Sequence, residues 1–333
     1  MAAFELSLPA PLVSRFRALI SHATHIVVTV HRYPDEDALG AALACKLSLG
    51  QQKPAICYCP APLPPLFSAY RHLCSTQKPL LNRKTLVICC DTVPSRTHLA
   101  KEIKTSNCST VVIDHHPAAH DKRRLNLTFA SASSASEIMT RLLISLQHEL
   151  TPYQATLLLS GILVDCGFFQ YPNTSALTLR VAAFLVARGA HPASIFRLIK
   201  KGKRLADYKI RGLALRRLRI NSENAALSVI TQKDLRQYKA NFQALNGLAN
   251  YLGTIPHTRY ALLLAEFLPG RIKGSLRAFS AQEKLLLLAK SFGGGGHQQA
   301  AGFRVRGSII KRGKYWQLAS PPASRLANRT SSG

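Results

Sequence analysis

The heptapeptide Val111-Val-Ile-Asp-His-His-Pro117 constrains this chain more than any other stretch. Three β-branched residues in a row read as a short buried strand. They run straight into an acid and two imidazoles, then into a proline that cannot continue a central strand. In an open α/β sheet, the end of such a strand is where ligands bind. Side chains alternate along an extended segment, so His115 and His116 should point in roughly opposite directions. Asp114, His115 and His116 are therefore not expected to serve one metal together. Taken alone, the heptapeptide is better explained as a polar strand exit, so partners elsewhere in the chain decide its meaning.

Partners are present. The chain carries 44 Lys and Arg against 16 Asp and Glu, so the placement of its few acids is informative. Asp35, Asp37, Asp91, Asp114 and Asp165 all sit within or just after strongly apolar segments. The buried strand expected over Thr24–Val30 ends at His31, and the loop His31–Asp37 leads into an Ala/Leu-rich helix, Ala38–Leu49, capped by Gly50. A second strand is expected over Ala55–Cys59. A third, Leu86–Cys90, ends at Asp91, and Val111–Ile113 is the fourth. Three strands thus stop at a candidate metal ligand, which is the switch-point pattern of a parallel βαβ sheet.

Asp35 and Asp37 alternate along the loop and would project to one side of an extended backbone. Asp37 would serve equally well as the cap of the helix beginning at Ala38. Together His31, Asp35, Asp37, Asp91, His115 and Asp165 form a set of two imidazoles and four carboxylates. That mixture suits Mn²⁺ better than a thiolate-rich zinc site. Six ligands with one bridging fit two ions about 3.5–4 Å apart, as in two-metal phosphoryl transfer.

Further along, helices are expected over residues 10–22, 136–150, 152–164, 176–189 and 192–201. Ten Lys and Arg lie between Arg197 and Arg219 against the single acid Asp207. This reads as a solvated linker helix, with a basic wall facing a cleft as the alternative. A second α/β unit begins near Ala225, with paired strands over 260–268 and 271–279 around the turn Pro269-Gly270. A helix over 282–291 follows, then Gly293-Gly-Gly-Gly-His297. That glycine run would let main-chain N–H groups approach an anion, or act simply as a hinge. The expected domains are residues 1–200, a basic linker 201–222, a substrate domain 223–306, and a basic, disordered tail 307–333.

The net charge of +28 points to a polyanionic partner, nucleic acid or a phosphorylated metabolite. Leu157–Val164 is too short to span a bilayer, and the N-terminus lacks a secretory pattern. Eight cysteines occur without a C-x-x-C pair, which suits a reducing compartment. A cytoplasmic protein with no membrane partner is expected; a homodimer is left open.

The motifs resemble the DHH phosphoesterase family, in the subgroup with the DHH-associated C-terminal domain. In order they are His31-Arg-Tyr-Pro-Asp-Glu-Asp-Ala-Leu-Gly40, Val87-Ile-Cys-Cys-Asp-Thr92 with Arg96, and Asp114-His-His116. Then come Gly161-Ile-Leu-Val-Asp-Cys-Gly-Phe-Phe169, Lys273-Gly-Ser-Leu-Arg277 and Gly294-Gly-Gly-His-Gln-Gln-Ala-Ala-Gly302. The resemblance spans about residues 20–305. It implies a two-lobed α/β fold, with a parallel-sheet DHH domain, a smaller C-terminal α/β domain and the active site in the cleft between.

The same resemblance implies two Mn²⁺ ions, with Mg²⁺ or Co²⁺ as alternatives. His31, Asp35 and Asp91 would hold one, and Asp37, Asp91, His115 and Asp165 the other. His116 would face the substrate or stand behind the ligands, and Asp114 would orient the histidines. Arg277 and His297 would grip a terminal phosphate, with Arg96, Ser275, Gly294, Gly295 and Gly296 also in the substrate site. The implied activity is removal of nucleotides from very short RNA oligonucleotides, with 3′-phosphoadenosine 5′-phosphate as a second substrate. Cyclic- or linear-dinucleotide hydrolysis is the alternative within the family, and a nucleic-acid-binding protein with an inactive site the alternative outside it. One departure stands out: the family usually has Thr-Asp-Thr-Gly where this chain has Val164-Asp-Cys-Gly167, placing an oxidisable thiol beside the expected metals.

Overall fold

The computed structural model describes residues 6–116, 121, 124–201, 204–278, 283–296, 298–313 and 315–319, with residues 199–201 described in backbone only. The chain divides into two units, residues 1–202 and 203–333.

The first unit runs α1 (Ala10–His22), β1 (His25–Thr29), α2 (Glu36–Leu49), β2 (Ala55–Tyr58), β3 (Cys74–Ser75), β4 (Thr85–Cys90), α3 (Ala100–Thr105), β5 (Ser109–Asp114) and β6 (Leu125–Thr128). Helices α4 (Ala135–Ser145), α5 (Pro152–Asp165), α6 (Ala176–Ala187) and α7 (Pro192–Lys201) complete it. Its six strands pair in the order β3-β2-β1-β4-β5-β6, all parallel. Both faces of this sheet are covered, which is why its strands read as unbroken apolar runs. Ile26, Val28, Leu86, Ile88 and Cys90 point into the larger core. Val27, Val87 and Cys89 point the other way, against Leu99 and Ile103. Strand order reverses between β1 and β4, so the ends of those two strands form the topological switch point. Strands β3 and β6 lie outside the sequence expectation because each is short and at an edge.

The second unit comprises α8 (Leu205–Arg216), β7 (Arg219–Ile220), β8 (Ala225–Ile230), α9 (Gln232–Gln237), α10 (Leu248–Gly253), β9 (Tyr260–Leu268) and β10 (Arg271–Arg277). It ends with α11 (Leu285–Ser291), β11 (Gly295–Gly296), β12 (Ala300–Arg306), β13 (Ser308–Arg312) and β14 (Tyr315–Ala319). Its main sheet is mixed, ordered β11-β12-β10-β9-β8-β7, with β8 and β9 parallel and the other pairs antiparallel.

Two expectations are corrected here. The basic run is not one solvated linker helix: α8 places Ile210, Leu213 and Ala214 in the second unit's core. Its cations have structural work as well. Arg211 donates to the Ala244 carbonyl at 2.9 Å, and Arg217 pairs with Asp234 at 2.8 Å while stacking on Trp316. Positive charge here flanks an apolar stripe at helical spacing, and composition concealed the stripe. The chain after Arg306 is not all tail either. The β13–β14 hairpin docks through buried Ile309, whose N–H donates to Glu266. Residues 320–333 lie outside the described residues. Among the described residues no helix is long and apolar enough to cross a membrane.

Candidate metal centre

Four chain segments bring the candidate ligands together at the switch point. β1 exits at His31, which makes an isolated antiparallel bridge with Thr97 in the segment after β4. β4 exits at Asp91, whose backbone turns to φ +53 immediately after the strand. Aspartate tolerates that left-handed conformation better than most residues. Its N–H stays in the sheet, donating to Ile113 of β5 at 2.8 Å. β5 itself ends at Asp114, delivering His115 and His116, and α5 ends at Asp165.

Three groups of possible ligands result: His31, Asp35 and Asp91; Asp37, His115 and Asp165; and Asp91, His115 and His116. Asp91 sits among the others. Its Oδ2 lies 3.5 Å from His31 Nε2, and its Oδ1 lies 3.6 Å from His115 Nε2 and 3.4 Å from His116 Nδ1. His115 Nε2 is 3.4 Å from Asp165 Oδ2, and His31 Nε2 is 3.8 Å from Asp35 Oδ1. These separations are too long for good hydrogen bonds. They match two donor atoms each about 2.1 Å from a shared cation at a tetrahedral angle, a spacing of roughly 3.4 Å. Asp91 Oδ1 is fully buried yet makes no hydrogen bond. A buried carboxylate oxygen without a partner is costly unless a cation meets it. The residues present therefore fit a metal site, and Asp91 belongs to two of its three groups of possible ligands.

Charge crowding points the same way. Burial, reinforced by the charges of Asp91, Asp165 and Asp35, pushes Asp37 well above the usual carboxylate range. Burial and the charges of Asp91 and Asp35 push Asp165 up to about 7. Burial would raise Asp91 too, but contacts with His116 and His31 hold it at about 2. Burial pulls His31 down, yet Asp35 and Asp91 carry it to about 9. Carboxylates packed this closely share too few protons to balance their charge, and a divalent ion relieves that.

Local structure corrects three details of the sequence reading. First, α2 begins at Glu36, and its cap is Asp35, whose Oδ1 accepts from Ala38 N–H at 3.0 Å. Asp37 therefore lies inside the helix, and Asp35 and Asp37 do not share one side of an extended strand. Second, the His115 and His116 rings do not point apart; their centroids are 4.3 Å apart. The strand has already ended at Asp114, so strand alternation no longer applies. Asp114 Oδ1 accepts from His116 N–H at 2.9 Å and lies 2.8 Å from His116 Nδ1, fixing that ring beside Asp91. Third, Cys166 is no exposed thiol. It is buried in the core, burial raises its pKa, and its sulfur accepts from Phe169 N–H at 3.3 Å. Such a thiol is a poor target for oxidation.

One part of the site escaped the sequence reading altogether. Both oxygens of Asp37 are tied to the N-terminus of α4, accepting from Ala135 N–H at 2.7 Å and Ser136 N–H at 2.8 Å. Helix N-termini favour carboxylates, so this end of α4 locks Asp37 in place. The signal was available in Ser134-Ala-Ser-Glu137, a capping sequence whose Ser134 hydroxyl accepts from Glu137 N–H. Gly161 on α5 makes the arrangement possible. A Cβ there would run into Ser136 Oγ and come within 2.9 Å of Asp37 Oδ1. On α2, a Cβ at Gly40 would sit 2.5 Å from the Leu157 carbonyl.

Arg96 lies in the short turn Pro94–Arg96 after β4, exposed to solvent. In the second unit, Lys273, Ser275 and Arg277 alternate along one face of β10, each only partly buried. Arg277 Nη1 donates to the Leu276 carbonyl at 2.7 Å. The glycine run is neither a hinge nor a row of free amides. Gly293 takes φ +69, and its N–H donates to Lys290 while that of Gly294 donates to Ala289. These two residues therefore form the left-handed cap of α11, so the N–H of Gly294 is not available to an anion. Gly295 and Gly296 form β11, paired with Gly302 and Ala301 of β12. His297 lies outside the described residues.

The switch point of the parallel sheet gathers imidazoles and carboxylates consistent with a metal site, and sequence comparison places the chain among phosphoesterases. The sequence model of the DHH family, N-terminal domain, matches residues 25–162. The probable bifunctional oligoribonuclease and PAP phosphatase NrnA of Streptococcus mutans is 30% identical over 220 residues, covering 65% of this chain and 69% of that protein. The chain belongs to the DHH family of phosphoesterases and is a hydrolase. Two solved structures share its fold. An exopolyphosphatase-related protein from Bacteroides fragilis aligns with a TM-score of 0.78 at 22% identity, covering 89% of this chain and 91% of that one. RecJ from Thermus thermophilus, solved in complex with Mn²⁺, aligns with a TM-score of 0.52 at 14% identity, covering 89% of this chain and 52% of that one.

Proposed function

We propose that this chain is a Mn²⁺-dependent phosphodiesterase that removes nucleotides from very short RNA and also hydrolyses 3′-phosphoadenosine 5′-phosphate. The observation that carries this reading is the buried, unpartnered Asp91 Oδ1 set between two groups of ligands. The oligoribonuclease and phosphatase activities named for the Streptococcus relative, and the Mn²⁺ bound by RecJ, support the substrate class and the metal. His31, Asp35 and Asp91 would hold one ion, and Asp37, Asp91, His115 and Asp165 the other. When bound, the ions would activate water and offset negative charge on the phosphoryl oxygens. Asp114 then serves by orienting His116, which is left to meet the substrate. Arg96, Ser275 and Arg277 would hold phosphate. The deciding assay gives the purified protein dinucleotides, longer RNA, 3′-phosphoadenosine 5′-phosphate and cyclic dinucleotides, with and without Mn²⁺. Turnover confined to cyclic dinucleotides, or none at all, would overturn the reading.

Arg277→Lys tests phosphate capture apart from metal binding. Arginine makes a bidentate contact with phosphate that lysine cannot reproduce. KM for dinucleotides should rise about tenfold, as expected for losing one charge-assisted hydrogen bond. Bound Mn²⁺, measured by elemental analysis, should not change, and loss of metal would refute the assignment.

The charge of +28 makes a separate prediction. KM should rise with salt, more steeply for longer oligonucleotides than for dinucleotides, because each added phosphate contact releases counterions. A salt response independent of length would leave the charge unrelated to substrate binding.

A further inference from the structure

None of the eight cysteines is among the candidate metal ligands, yet two of them face each other. Cys57 of β2 and Cys74 of β3 are direct partners in the parallel ladder. Neighbouring strands lie about 4.8 Å apart. A disulfide spans Cα separations of about 4.4–6.8 Å, so this pair needs no backbone movement to be joined. Both side chains pack against the larger core of the first unit, which places them on one face of the sheet. Cys59 shares that face but lies beyond the β2–β3 ladder, and burial lifts its pKa to about 11.

The two partners sit in different surroundings. β3 is a two-residue edge strand, so Cys74 is partly open to solvent, whereas Cys57 lies one strand further in and is buried. A hydrogen bond from the Cys57 thiol lowers the pKa of Cys74 against the opposing effect of burial, and Arg71 and Lys46 lower it further. Arg71 is held beside the pair, since its Nη1 donates to the Cys59 carbonyl at 3.0 Å and the Ala61 carbonyl at 2.9 Å. The same thiol contact, with burial, keeps Cys57 protonated. Burial pushes Cys45 and Cys89 up to about 12 instead, as suits inert core thiols. One accessible sulfur is thus biased toward thiolate, with a second thiol directly against it.

We propose that Cys74 and Cys57 form a reversible, peroxide-driven disulfide that rivets the edge strand β3 to the sheet. The Cys74 thiolate attacks one oxygen of hydrogen peroxide and breaks the O–O bond. The other oxygen leaves as hydroxide, which takes a proton to become water, and Cys74 becomes a sulfenic acid. The Cys57 sulfur then attacks the Cys74 sulfur. The S–S bond forms, the S–O bond breaks, and the departing hydroxide leaves as water with the Cys57 proton. Two electrons have passed from the thiol pair to the peroxide, and a dithiol reductant returns them. The bond closes a ring around residues 58–73, including the 3₁₀ segment Pro65–Leu73, at a point where β2 and β3 share two ladder positions.

The test treats the full-length protein with a few equivalents of hydrogen peroxide and maps its unreduced peptides by mass spectrometry. A Cys57–Cys74 cross-link should appear with the loss of two hydrogens, and dithiothreitol should reverse it. Amide hydrogen exchange across residues 58–75 should slow in the oxidised form. Cys74→Ser should abolish the cross-link, and Cys57→Ser should leave Cys74 as a sulfenic acid that dimedone traps. Cys59→Ser and Cys108→Ser should both still form it. Cys74 should react at least about tenfold faster than Cys108, the other partly exposed thiol. The wild-type peptide map decides the pairing even where a buried substitution impairs folding. A disulfide from Cys74 to Cys59, reaction confined to Cys108, or conversion of Cys74 to its sulfinic acid without a disulfide would overturn the proposal. So would a cross-link that leaves exchange across residues 58–75 unchanged, because the bond would then rivet nothing.

Discussion

Asp91→Ala should reduce phosphodiesterase activity by on the order of 10³-fold or more, well beyond Asp114→Ala, because in the proposed two-metal site its carboxylate would serve both ions. In the structure Asp91 lies between His31 on one side and His115 and His116 on the other, and one of its oxygens is buried without a hydrogen bond. Removing it takes a member from two of the three ligand groups. Asp114 touches only His116 among the candidate ligands, through its ring and its backbone N–H. Losing an orienting partner of that kind typically costs 10–100-fold, so Asp114→Ala should fall in roughly that range. Metal content gives the independent readout. Asp91→Ala should bind neither Mn²⁺ tightly, whereas Asp114→Ala should retain both with altered affinity. Equal, small effects from the two substitutions would remove Asp91 from its bridging position.

Gly161→Ala is expected to weaken metal binding without replacing any ligand. The new methyl would meet Ser136 Oγ and Asp37 Oδ1, the two groups that α4 holds in register. Asp37 is 2% exposed and anchored by two main-chain N–H groups, so it has nowhere to move without breaking them. Activity should fall by about 10²-fold, and the occupancy or affinity of one Mn²⁺ should drop while the other persists. Thermal stability should also fall, since overpacking typically costs about 1–3 kcal/mol. A Gly161→Ala/Ser136→Ala double variant removes the tightest of these contacts, that with Ser136 Oγ, so it should recover stability more than metal affinity. Two ions bound as tightly as in wild type would show that the α4 anchor does not matter to the site.

Much of this protein was legible in the sequence because its signals are local. Runs such as Val111-Val-Ile113 and Leu86–Cys90 announce buried parallel strands. Acids are scarce in so basic a chain, so those at strand ends stood out, and all six expected ligands fall within the three clusters at the switch point. What the sequence could not decide was direction. Whether His115 and His116 diverge depends on where β5 stops, and the hydrogen bond from His116 N–H to Asp114 settles that. Whether Asp35 or Asp37 caps α2 depends on which carboxylate α4 claims from 98 residues away. Whether the glycine run offers its amides depends on where α11 ends. The pairing of Cys57 with Cys74 exists only through the register of β2 on β3. Spacing along a chain specifies which residues an element carries. Contacts between distant elements specify where those side chains point and which of their donors and acceptors remain for chemistry.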